Sequence, residues 1–485
     1  MAEQYKVIND PIHGHVELHP LLIKIIDTPQ FQRLRHIKQL GGAYHVYPGA
    51  SHNRFEHSIG VAHLAGELAK ALKEKEEELN ITDRDVLCVQ IAGLCHDLGH
   101  GPFSHLYDAI FIPRANFIPR DNDPEYNKLE DKMKKWKHEK ASVEMFDHMV
   151  KKNNLEDEMK KHHLKFEKPV DENDPDGDDM TFIREMIKGK KTKTPGRGVK
   201  KSFLYEIVAN KETGIDVDKF DYFARDSYHL GIQTNFDHRR FIHFARVCQV
   251  EENWHICTRD KEVDNLYEMF HTRYCLHRRA YKHKVTKIIE TMIAEAFVKA
   301  DEHIQIKGSE GEMFSLSTAI GDMEAYTKLT DHVFQDILNS PSEELDDAKQ
   351  ILKRIIDRKH YRCLGQTRPN LSLTKTMRDR WQQELAEAVP NNGGLTAEDF
   401  IVEVVTMDYG MKENDPIENM YFYSRGNPNH PFKISRDQVS KLLPTCFSET
   451  LIRVYCKKID EISLNAAKEN FQQWCTMKGW PIPQY

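Results

Sequence analysis

The sequence lacks any long apolar run, and none approaches the roughly 18 consecutive residues that a membrane-spanning helix requires. No basic and apolar leader opens the chain either. We therefore expect a soluble protein that has no membrane partner.

Paired cysteines and an excess of basic charge are also missing. The nine cysteines are odd in number and form no CxxC pair or zinc-finger spacing, which favours unpaired thiols in the reducing interior of a cell. The 69 Lys and Arg residues against 76 Asp and Glu residues give a formal charge of −7. The overall charge therefore does not indicate general affinity for nucleic acid, although it does not exclude a local basic patch.

Helical periodicity dominates what is present. Apolar stripes with helical spacing occur within residues 21–26 and 59–68, and Thr82 is a suitable N-cap for a helix that runs to His96. ARVCQV and WHICTR, separated by EEN, predict a short β-hairpin. We predict a mainly α fold with a core over residues 1–300 and a smaller α+β lobe over residues 301–485.

The remaining segments give weaker patterns. The stretch between residues 113 and 200 is charged, contains Pro and Gly, and predicts loops that are partly disordered. Asp260 is predicted to cap one very long helix that reaches about Ala300. Further on, FIVEVVTMDYG and MYFYSR predict strands, whereas SETLIRVYCKKI predicts a helix.

The segment LCHDLGHGPFSH, residues 94–105, places three histidines and an aspartate where an apolar helix ends. Neighbouring side chains on a helix point about 100° apart, so His96 and Asp97 bind one ion only if other segments close around it. His57 in SHNRFEHS and Asp218 in GIDVDKFDYFARD are candidates for that closure. Two imidazoles and two carboxylates suit Zn, Fe or Mn, and such an ion supports hydrolysis.

Other histidines lie close to this set in the sequence. His100, His105 and His138 are candidates for moving protons or binding an oxyanion. The alternative is a cluster at a helix end that is solvated by a loop. The sequence favours the chemical interpretation, because the histidines accompany the predicted metal ligands.

The segment CLHRRAYKHK supplies a second signal. Arg273, His277 and Tyr281 are spaced four residues apart and share one helix face. With Lys219 and Arg54, this face would bind a triphosphate. A solvated basic helix is the alternative.

Four motifs, HNRFEHS, LCHDLGHGPFSH, NKETGIDVDKFDYFARD and HRRAYKHK, closely resemble those of the HD-domain deoxynucleoside triphosphate triphosphohydrolases. The likeness runs from about Gln4 to Trp474 outside the charged stretch, and it is greatest to vertebrate members that carry a SAM and an HD domain. It implies an HD-domain helical core and conversion of a dNTP into a deoxynucleoside and inorganic triphosphate. Members commonly carry a SAM domain and a phosphorylated C-terminal tail; this sequence shows neither, so we expect no control through those parts.

The resemblance assigns roles to individual residues. It implies that the catalytic metal is bound by His57, His96, Asp97 and Asp218. It implies a catalytic set of His100, His105, Asp108 and His138, with His105 as proton donor or in-line group. It implies that the substrate is bound by Gln39, Leu40, Arg54, His105, Lys219, Tyr222, Asp226, Arg273 and Tyr281. Tyr281 would leave no room for a 2′-hydroxyl, which favours deoxyribose.

The family is also activated by nucleotides that bind between subunits. A pocket for GTP or dGTP is implied at Lys6, Val7, Asp27, Gln32 and Arg35. A second pocket, for a dNTP, is implied at Asn9, His15, Arg240, Arg259, Lys261, Asn265, His283, Lys284, Arg358, Arg362 and Lys457. Mg²⁺ would bridge the two triphosphates, and a homotetramer assembled by nucleotides is implied.

The sequence also departs from the family pattern. Lys282 stands where glutamine is expected beside the substrate base, and Arg362 where lysine is expected. Cys248, Cys257 and Cys456 match thiols that resemble redox-sensitive family positions, although free buried cysteine is the default.

The cellular role is implied only by the resemblance. It consists of limiting dNTP pools and thereby restricting viral reverse transcription, in the nucleus or alternatively the cytoplasm. Two alternatives stay open: another HD-type nucleotide phosphohydrolase, or a nucleic-acid-binding protein that uses the basic strip KGKKTKTPGRGVKK, residues 188–201. That strip is also typical of a solvated loop or a nuclear-import signal.

Overall fold

The structure is a computed structural model that describes residues 5–115, 124–166, 176–369, 380–390 and 393–484. The fold is mainly α with several small sheets, as predicted. In the first half the helices are α1 (Pro20–Ile26), α2 (Pro29–Gln32), α3 (Arg54–Lys75), α4 (Asp83–Cys95), α5 (Pro124–Lys134), α6 (His138–Lys152), α7 (Leu155–Lys161), α8 (Asp179–Lys188), α9 (Val217–Leu230) and α10 (His238–Phe244).

The second half continues with fewer and more widely spaced helices. They are α11 (Val263–Leu276), α12 (Lys284–Ala300), α13 (Met323–Lys328), α14 (Val333–Asn339), α15 (Asp346–Ile356), α16 (Trp381–Glu387), α17 (Arg436–Val439) and α18 (Glu461–Lys478). The strands are β1 (Lys6–Asp10), β2 (Gly14–Leu18), β3 (Arg246–Val250), β4 (Asn253–Arg259), β5 (Ile306–Lys307), β6 (Met313–Phe314), β7 (Arg362–Thr367), β8 (Phe400–Asp408), β9 (Phe422–Tyr423) and β10 (Ser448–Cys456).

Helices α3 and α4 form the centre of the molecule. Thr82 caps α4 as predicted, because its hydroxyl accepts from the Asp85 amide while the Asp85 carboxylate accepts from the Thr82 amide. Gly93 lets the two helices approach closely, since a Cβ there would lie 3.2 Å from the carbonyl oxygen of Val61. This contact brings the start of α3 beside the end of α4.

Antiparallel hairpins occur at three places in the described part of the chain, the shortest being the pair of β5 and β6. β3 and β4 form the predicted hairpin, and β4 also pairs in parallel with β9. β1 and β2 form a second hairpin near the start of the chain. Each of the nine cysteines is free, and Cys248, Cys257 and Cys456 are buried; their redox sensitivity stays a prediction.

The prediction of loops between residues 113 and 200 is wrong for much of that stretch, which contains α5, α6, α7 and α8. Because these segments contain many charged residues, the narrow apolar face of each helix is not evident in the sequence. In α6, for example, Met145, Phe146, Met149 and Val150 are buried while the opposite side carries lysines and acids. The part of the predicted disorder that falls on residues 116–123 and 167–175 lies outside the described residues.

The single long helix predicted from Asp260 to Ala300 is interrupted. α11 ends at Leu276 and passes into a π-helical turn at His277–Tyr281 before α12 begins at Lys284. His283 has an extended backbone, and its ring accepts a hydrogen bond from the Val285 amide, so it caps α12. The helical spacing of the side chains continues through the break, so the break cannot be seen in the sequence.

The helix predicted for SETLIRVYCKKI is also wrong, because residues 448–456 form β10, the central strand between β7 and β8. Ile452, Val454 and Cys456 pack against the helices of the C-terminal lobe, while Leu451 and Tyr455 join other apolar clusters on the opposite face. A strand covered on both faces gives a continuous apolar run, which periodicity alone does not separate from a buried helix.

Two large apolar clusters support these elements. The main one extends from Val16 to Tyr455, and a smaller one joins β7, β8, β10, α16 and α18 around Trp381 and Trp474. The division of the chain at residue 300 stays a prediction. Within the described ranges, no helix combines the length and the apolar character that crossing a bilayer needs.

Candidate metal centre and active-site cavity

Three helix ends bring the four predicted metal ligands together. His57 lies in the first turn of α3, His96 and Asp97 follow the last turn of α4, and Asp218 lies in the first turn of α9. The Nε2 atom of His57 is 3.2 Å from Asp218 Oδ1 and 3.5 Å from Asp97 Oδ2. The Nε2 atom of His96 is 3.4 Å from Asp97 Oδ1 and 3.4 Å from Asp218 Oδ1.

The donor set fits a divalent cation. His57 Nδ1 donates to Asp221 Oδ2 at 2.7 Å, and His96 Nδ1 donates to the carbonyl oxygen of Gly93 at 2.7 Å. These partners fix both rings so that each Nε2 faces the carboxylates, and both Nε2 atoms are buried without an aligned hydrogen bond. His57, His96 and Asp97 bring one ligand atom each close enough together to hold a metal ion, and Asp218 Oδ1 lies next to both imidazole nitrogens. Two imidazoles and two carboxylates suit a transition metal.

Charge in this centre is balanced by protons when no cation is bound. Although burial opposes it, His96 and Arg54 hold the pKa of Asp97 well below its usual value, and His57 and His96 lower that of Asp218. Burial likewise opposes the charge on His57, yet Asp218 and Asp221 raise its pKa to about 10. A divalent cation held here would take the place of the proton on His57 Nε2.

A second histidine cluster lies beside the first. His100 Nε2 is 3.4 Å from Asp97 Oδ1, and the His100 ring stacks on His138 at a centroid distance of 4.1 Å. His138 Nδ1 donates to Asp108 Oδ2 at 2.8 Å, while His105 Nδ1 lies 3.7 Å from Asp108 Oδ1. All four residues of the predicted catalytic set are thus in one place.

The protonation states within this cluster differ. Burial, Arg54 and His138 hold the pKa of His100 well below its usual value, so this ring is neutral. Burial opposes charge on His138 as well, but the hydrogen bond to Asp108 raises the pKa of His138. The side chain of His105 is 67% exposed and is the most accessible proton carrier of the three.

Both clusters open into a cavity of about 690 Å³. Every residue of the predicted substrate-binding set lines it: Gln39, Leu40, Arg54, His105, Lys219, Tyr222, Asp226, Arg273 and Tyr281. Part of the wall comes from Glu403 to Thr406 in β8, which the sequence did not identify. His277 and Lys282 line the cavity too, and Lys282 donates to the carbonyl oxygen of Thr406.

The three cations predicted to bind phosphate are each paired with an acid. Arg54 donates from Nη1 to Asp97 Oδ2 at 2.6 Å, and its other nitrogens bind Ser104 Oγ and the Gln39 carbonyl oxygen. The remaining pairs are Lys219 with Asp216 and Arg273 with Asp408. A polyanion in the cavity would compete with these carboxylates for the same donors.

Tyr281 is held at the cavity wall by a short chain of hydrogen bonds. Its hydroxyl donates to Asp226 Oδ2, and His52 Nε2 donates to Asp226 Oδ1 at 2.7 Å. The ring of Tyr281 is therefore fixed in position. A group that excludes a hydroxyl from a sugar has to be held in this way.

The residues implied for activator binding lie at the surface, and none of them is buried. Lys6, Val7, Asn9 and His15 lie on the β1–β2 hairpin, and Arg35 Nε donates to Gln32 Oε1 nearby in sequence. The second set is spread over distant elements: Arg240 pairs with Glu262, and Lys457 with Glu295. The structure describes one chain, so the predicted pockets between subunits stay a prediction.

Part of the basic strip at residues 188–201 has a structural role. Arg197 is fully buried and donates to Asp85 at 2.7 Å and to Asp179 at 2.6 Å. Lys201 is buried as well and donates to Asp85 at 2.6 Å. These two residues are not available to a nucleic acid, whereas the lysines between positions 188 and 200 are exposed.

The sequence argument missed several residues that shape the site. Asp221 orients His57, and its position three residues after Asp218 on one helix face is a signal that would have found it. Asp331 accepts from the backbone amides of Lys38 and Phe103, at 2.8 and 2.6 Å, and joins two segments of the cavity wall. No local pattern indicates a partner so distant in sequence.

Comparisons with known proteins agree with this geometry. A family model described as HD domain matches residues 54–225, which include all four residues of the candidate metal centre. A Danio rerio protein named deoxynucleoside triphosphate triphosphohydrolase SAMHD1 is 59% identical over 496 residues, covering 100% of this chain and 76% of the relative. The Homo sapiens protein of the same name is 55% identical over 498 residues, covering 100% and 75%. A Dictyostelium discoideum protein named as its homolog is 37% identical over 454 residues, covering 93% and 77%.

Proposed function

The chain belongs to the SAMHD1 family of deoxynucleoside triphosphate triphosphohydrolases, and we propose that it converts a dNTP into a deoxynucleoside and inorganic triphosphate. Membership confirms the resemblance inferred from the four motifs and makes the chain a hydrolase with an HD domain. The observation that carries the proposal is that the centre formed by His57, His96, Asp97 and Asp218 opens into a cavity lined by Arg54, Lys219 and Arg273.

Different cavity residues would bind different parts of such a substrate. Arg54, Lys219 and Arg273 would exchange their carboxylate partners for phosphate oxygens and so hold the triphosphate. Tyr281, fixed by Asp226, would lie against the 2′ position of the sugar and select deoxyribose. The base would lie near Lys282, where the family pattern has glutamine, so base preference is a property to measure for this chain.

The bound divalent ion, which we propose to be Zn, Fe or Mn, would polarise the α-phosphoryl group and lower the pKa of water there. His57, His96, Asp97 and Asp218 would hold it. A water oxygen would form a bond to the α-phosphorus as the bond from that phosphorus to the 5′-oxygen breaks. His105 would give a proton to the 5′-oxygen and regain the one that the water loses; the alternative is that His105 lies in line with the breaking bond.

Two neighbours support His105 in this role. Asp108 faces both His105 and His138, and its carboxylate keeps a proton on His138 Nδ1. His100, whose pKa burial and Arg54 hold well below its usual value, lies between His138 and Asp97.

Product analysis tests the reaction directly. Purified protein incubated with dGTP and Mg²⁺ should yield intact tripolyphosphate and deoxyguanosine on anion exchange. Asp218→Asn should abolish the products, while Glu17→Gln, on the exposed side of β2, should leave them unchanged. Monophosphate and pyrophosphate as the only phosphate products would contradict the proposal and favour another HD-type phosphohydrolase.

Regulation is the second part of the proposal. GTP or dGTP at the first surface set and a dNTP at the second, joined through Mg²⁺, would assemble a homotetramer and activate it. The support is the family membership and the finding that none of the residues concerned is buried. Turnover of dATP with and without GTP, measured together with particle mass, tests it. Full activity of a monomer without GTP would remove the regulatory part and leave the chemical part intact.

The cellular role follows from the chemistry. An enzyme that destroys dNTPs would limit their pools and restrict viral reverse transcription, and action in the nucleus is part of this proposal. Nucleic-acid binding by the strip at residues 188–201 would rest on its exposed lysines alone, because Arg197 and Lys201 are buried. Retention on single-stranded DNA that survives neutralisation of those lysines would exclude the strip.

A further inference from the structure

The first hairpin of the chain sends its turn into the interior, next to the metal centre. The turn between β1 and β2 carries Asp10 and His13. Asp10 Oδ1 accepts from the backbone amides of Ile12 and His13, both at 2.9 Å, so the carboxylate defines the shape of the turn. The side chains of Asp10 and His13 are nevertheless 4% and 2% exposed, although Lys6, Val7 and Asn9 of β1 are exposed.

Both buried side chains bind residues of α9. His13 Nε2 donates to Asp221 Oδ1 at 2.7 Å. Asp10 Oδ2 accepts from Arg225 Nη1 at 2.9 Å. Arg225 in turn donates to both oxygens of Asp221 at 2.9 Å, so the turn holds this acid directly and through the guanidinium.

Asp221 is the residue that orients His57. Its Oδ2 accepts from His57 Nδ1 at 2.7 Å, while its Oδ1 accepts from His13. The side chains of Asp221 and Arg225 have no exposed surface, so bulk solvent does not reach them. Space is equally limited: a Cβ at Gly60 in α3 would lie 1.9 Å from Asp221 Oδ1. The position of the carboxylate is therefore set by its partners.

We propose that Asp10 and His13 are positioning residues for the metal centre, acting on His57 through Asp221 and Arg225. The inference rests on the proposed function, since it assumes that His57 binds the metal. It adds two residues that lie outside the stretch matched by the HD-domain model and gives the first hairpin a role at the catalytic site. The outer partners of a metal-bound histidine govern metal retention as well as rate.

Metal release is the decisive measurement. The full chain loaded with Zn²⁺ would be mixed with a chromogenic chelator, and the rate of zinc loss compared among variants. His13→Ala should release zinc about 10- to 100-fold faster than the wild type, the range found for partners of metal-bound histidines. The rate of zinc release from His13→Gln, which keeps a donor, should lie between the rates of the wild type and His13→Ala. Glu17→Gln is the matched control on the same hairpin and should release zinc at the wild-type rate.

A second variant and a second readout separate positioning from general destabilisation. Asp10→Asn removes the charge facing Arg225 but keeps an acceptor for the turn, and should also accelerate zinc release. In His13→Ala and Asp10→Asn, kcat should fall while KM for dGTP stays near the wild-type value, because the cavity residues are untouched. Partial recovery of kcat in His13→Gln is expected.

The outcomes are distinguishable. Wild-type zinc retention in folded His13→Ala would overturn the inference and leave the proposed function standing. If His13→Ala fails to fold, wild-type release rates in both His13→Gln and Asp10→Asn would overturn it. A wild-type chain that binds no divalent ion would contradict the proposed function and the inference together.

Discussion

Gly60 shows how closely the metal centre is packed at the level of single residues. Its missing side chain leaves the room that Asp221 and Arg225 occupy, with 1.9 Å from a Cβ to Asp221 Oδ1 and 2.6 Å to Arg225 Nη2. Both contacted groups are fixed by ion pairs, so neither can move away cheaply.

Gly60→Ala should therefore misplace His57. We expect at least a tenfold loss of dNTP hydrolysis and a loss of about 1–3 kcal/mol in stability, typical of overpacking. Gly66→Ala in the same helix is the control, because its Cβ would meet only the flexible end of Gln90. Activity assays and thermal unfolding measure both effects, and equal behaviour of the two variants would show that the contact is unimportant.

Asp331 gives a pH dependence at the same scale. Burial raises the pKa of this carboxyl to about 7, even though it accepts from two backbone amides. The folded protein then holds a proton that the unfolded chain, with a pKa near 3.8, releases. The contribution of this group to stability is full below about pH 4 and declines as pH rises to about 7.

Comparison with Asp331→Asn isolates that contribution. The free energy of unfolding of the wild type, relative to that of the variant, should be higher at pH 5.5 than at pH 8. This difference should change by about 1.4 kcal/mol per pH unit at most, and melting temperatures measured at both pH values follow it. A difference that stays constant between the two pH values would show that Asp331 is ionised throughout.

At the scale of elements, the basic strip illustrates how a sequence pattern changes meaning once folded. Arg197 and Lys201 lie between α4 and α8, where Asp85 and Asp179 surround the guanidinium. Arg197 and Lys201 of the strip therefore join α4 and α8 through a buried network of ion pairs. Removing one partner of such a network leaves an uncompensated charge in the interior.

Arg197→Ala should lower the unfolding free energy by about 3–5 kcal/mol. Lys200→Ala, three positions away and exposed, should change it by no more than about 0.5 kcal/mol. Denaturant titration measures both. A small loss of unfolding free energy in Arg197→Ala would mean that Asp85 and Asp179 form other ion pairs in the variant.

The elements also show which features local sequence determines. The cap at Thr82 and the β3–β4 hairpin were predictable, because each depends on short-range chemistry. Strand β8 was predictable because five of its nine residues are β-branched. β10 was not, since both of its faces are buried and alternation disappears. The break at His277–Tyr281 was not either, because the side-chain period continues across a π-helical turn.

The same distinction applies to the site. Its motifs indicated the metal ligands and the histidine cluster, since these residues lie within short segments whose composition is unusual. Residues that pack around the site, such as Asp10, His13 and Asp331, come from segments far away along the chain. Only tertiary packing brings such partners together, and it leaves no pattern in a single sequence.

At the scale of the whole molecule, the substrate cavity is built from both ends of the chain. The segment at Gln39 and Leu40 forms one side, and β8 closes the other with Glu403 to Thr406. Thr406 lies opposite Thr450 of β10, with their hydroxyl oxygens 3.1 Å apart, but only Thr406 lines the cavity.

Thr406→Trp should therefore obstruct nucleotide binding without touching the metal centre. We expect KM for dGTP to rise at least tenfold, with metal content unchanged. Thr450→Trp adds the same volume outside the cavity and should bind dGTP normally. Steady-state kinetics and metal analysis decide, and an unchanged KM in Thr406→Trp would place the base elsewhere.

The four ligands of the ion lie between residues 57 and 218, whereas the wall that meets the nucleotide extends to β8. Under the proposed function, the metal ligands and the β8 part of the cavity wall would therefore be encoded in separate stretches of the gene. Substitutions in β8 would then change which base is accepted without altering the residues that hold the ion.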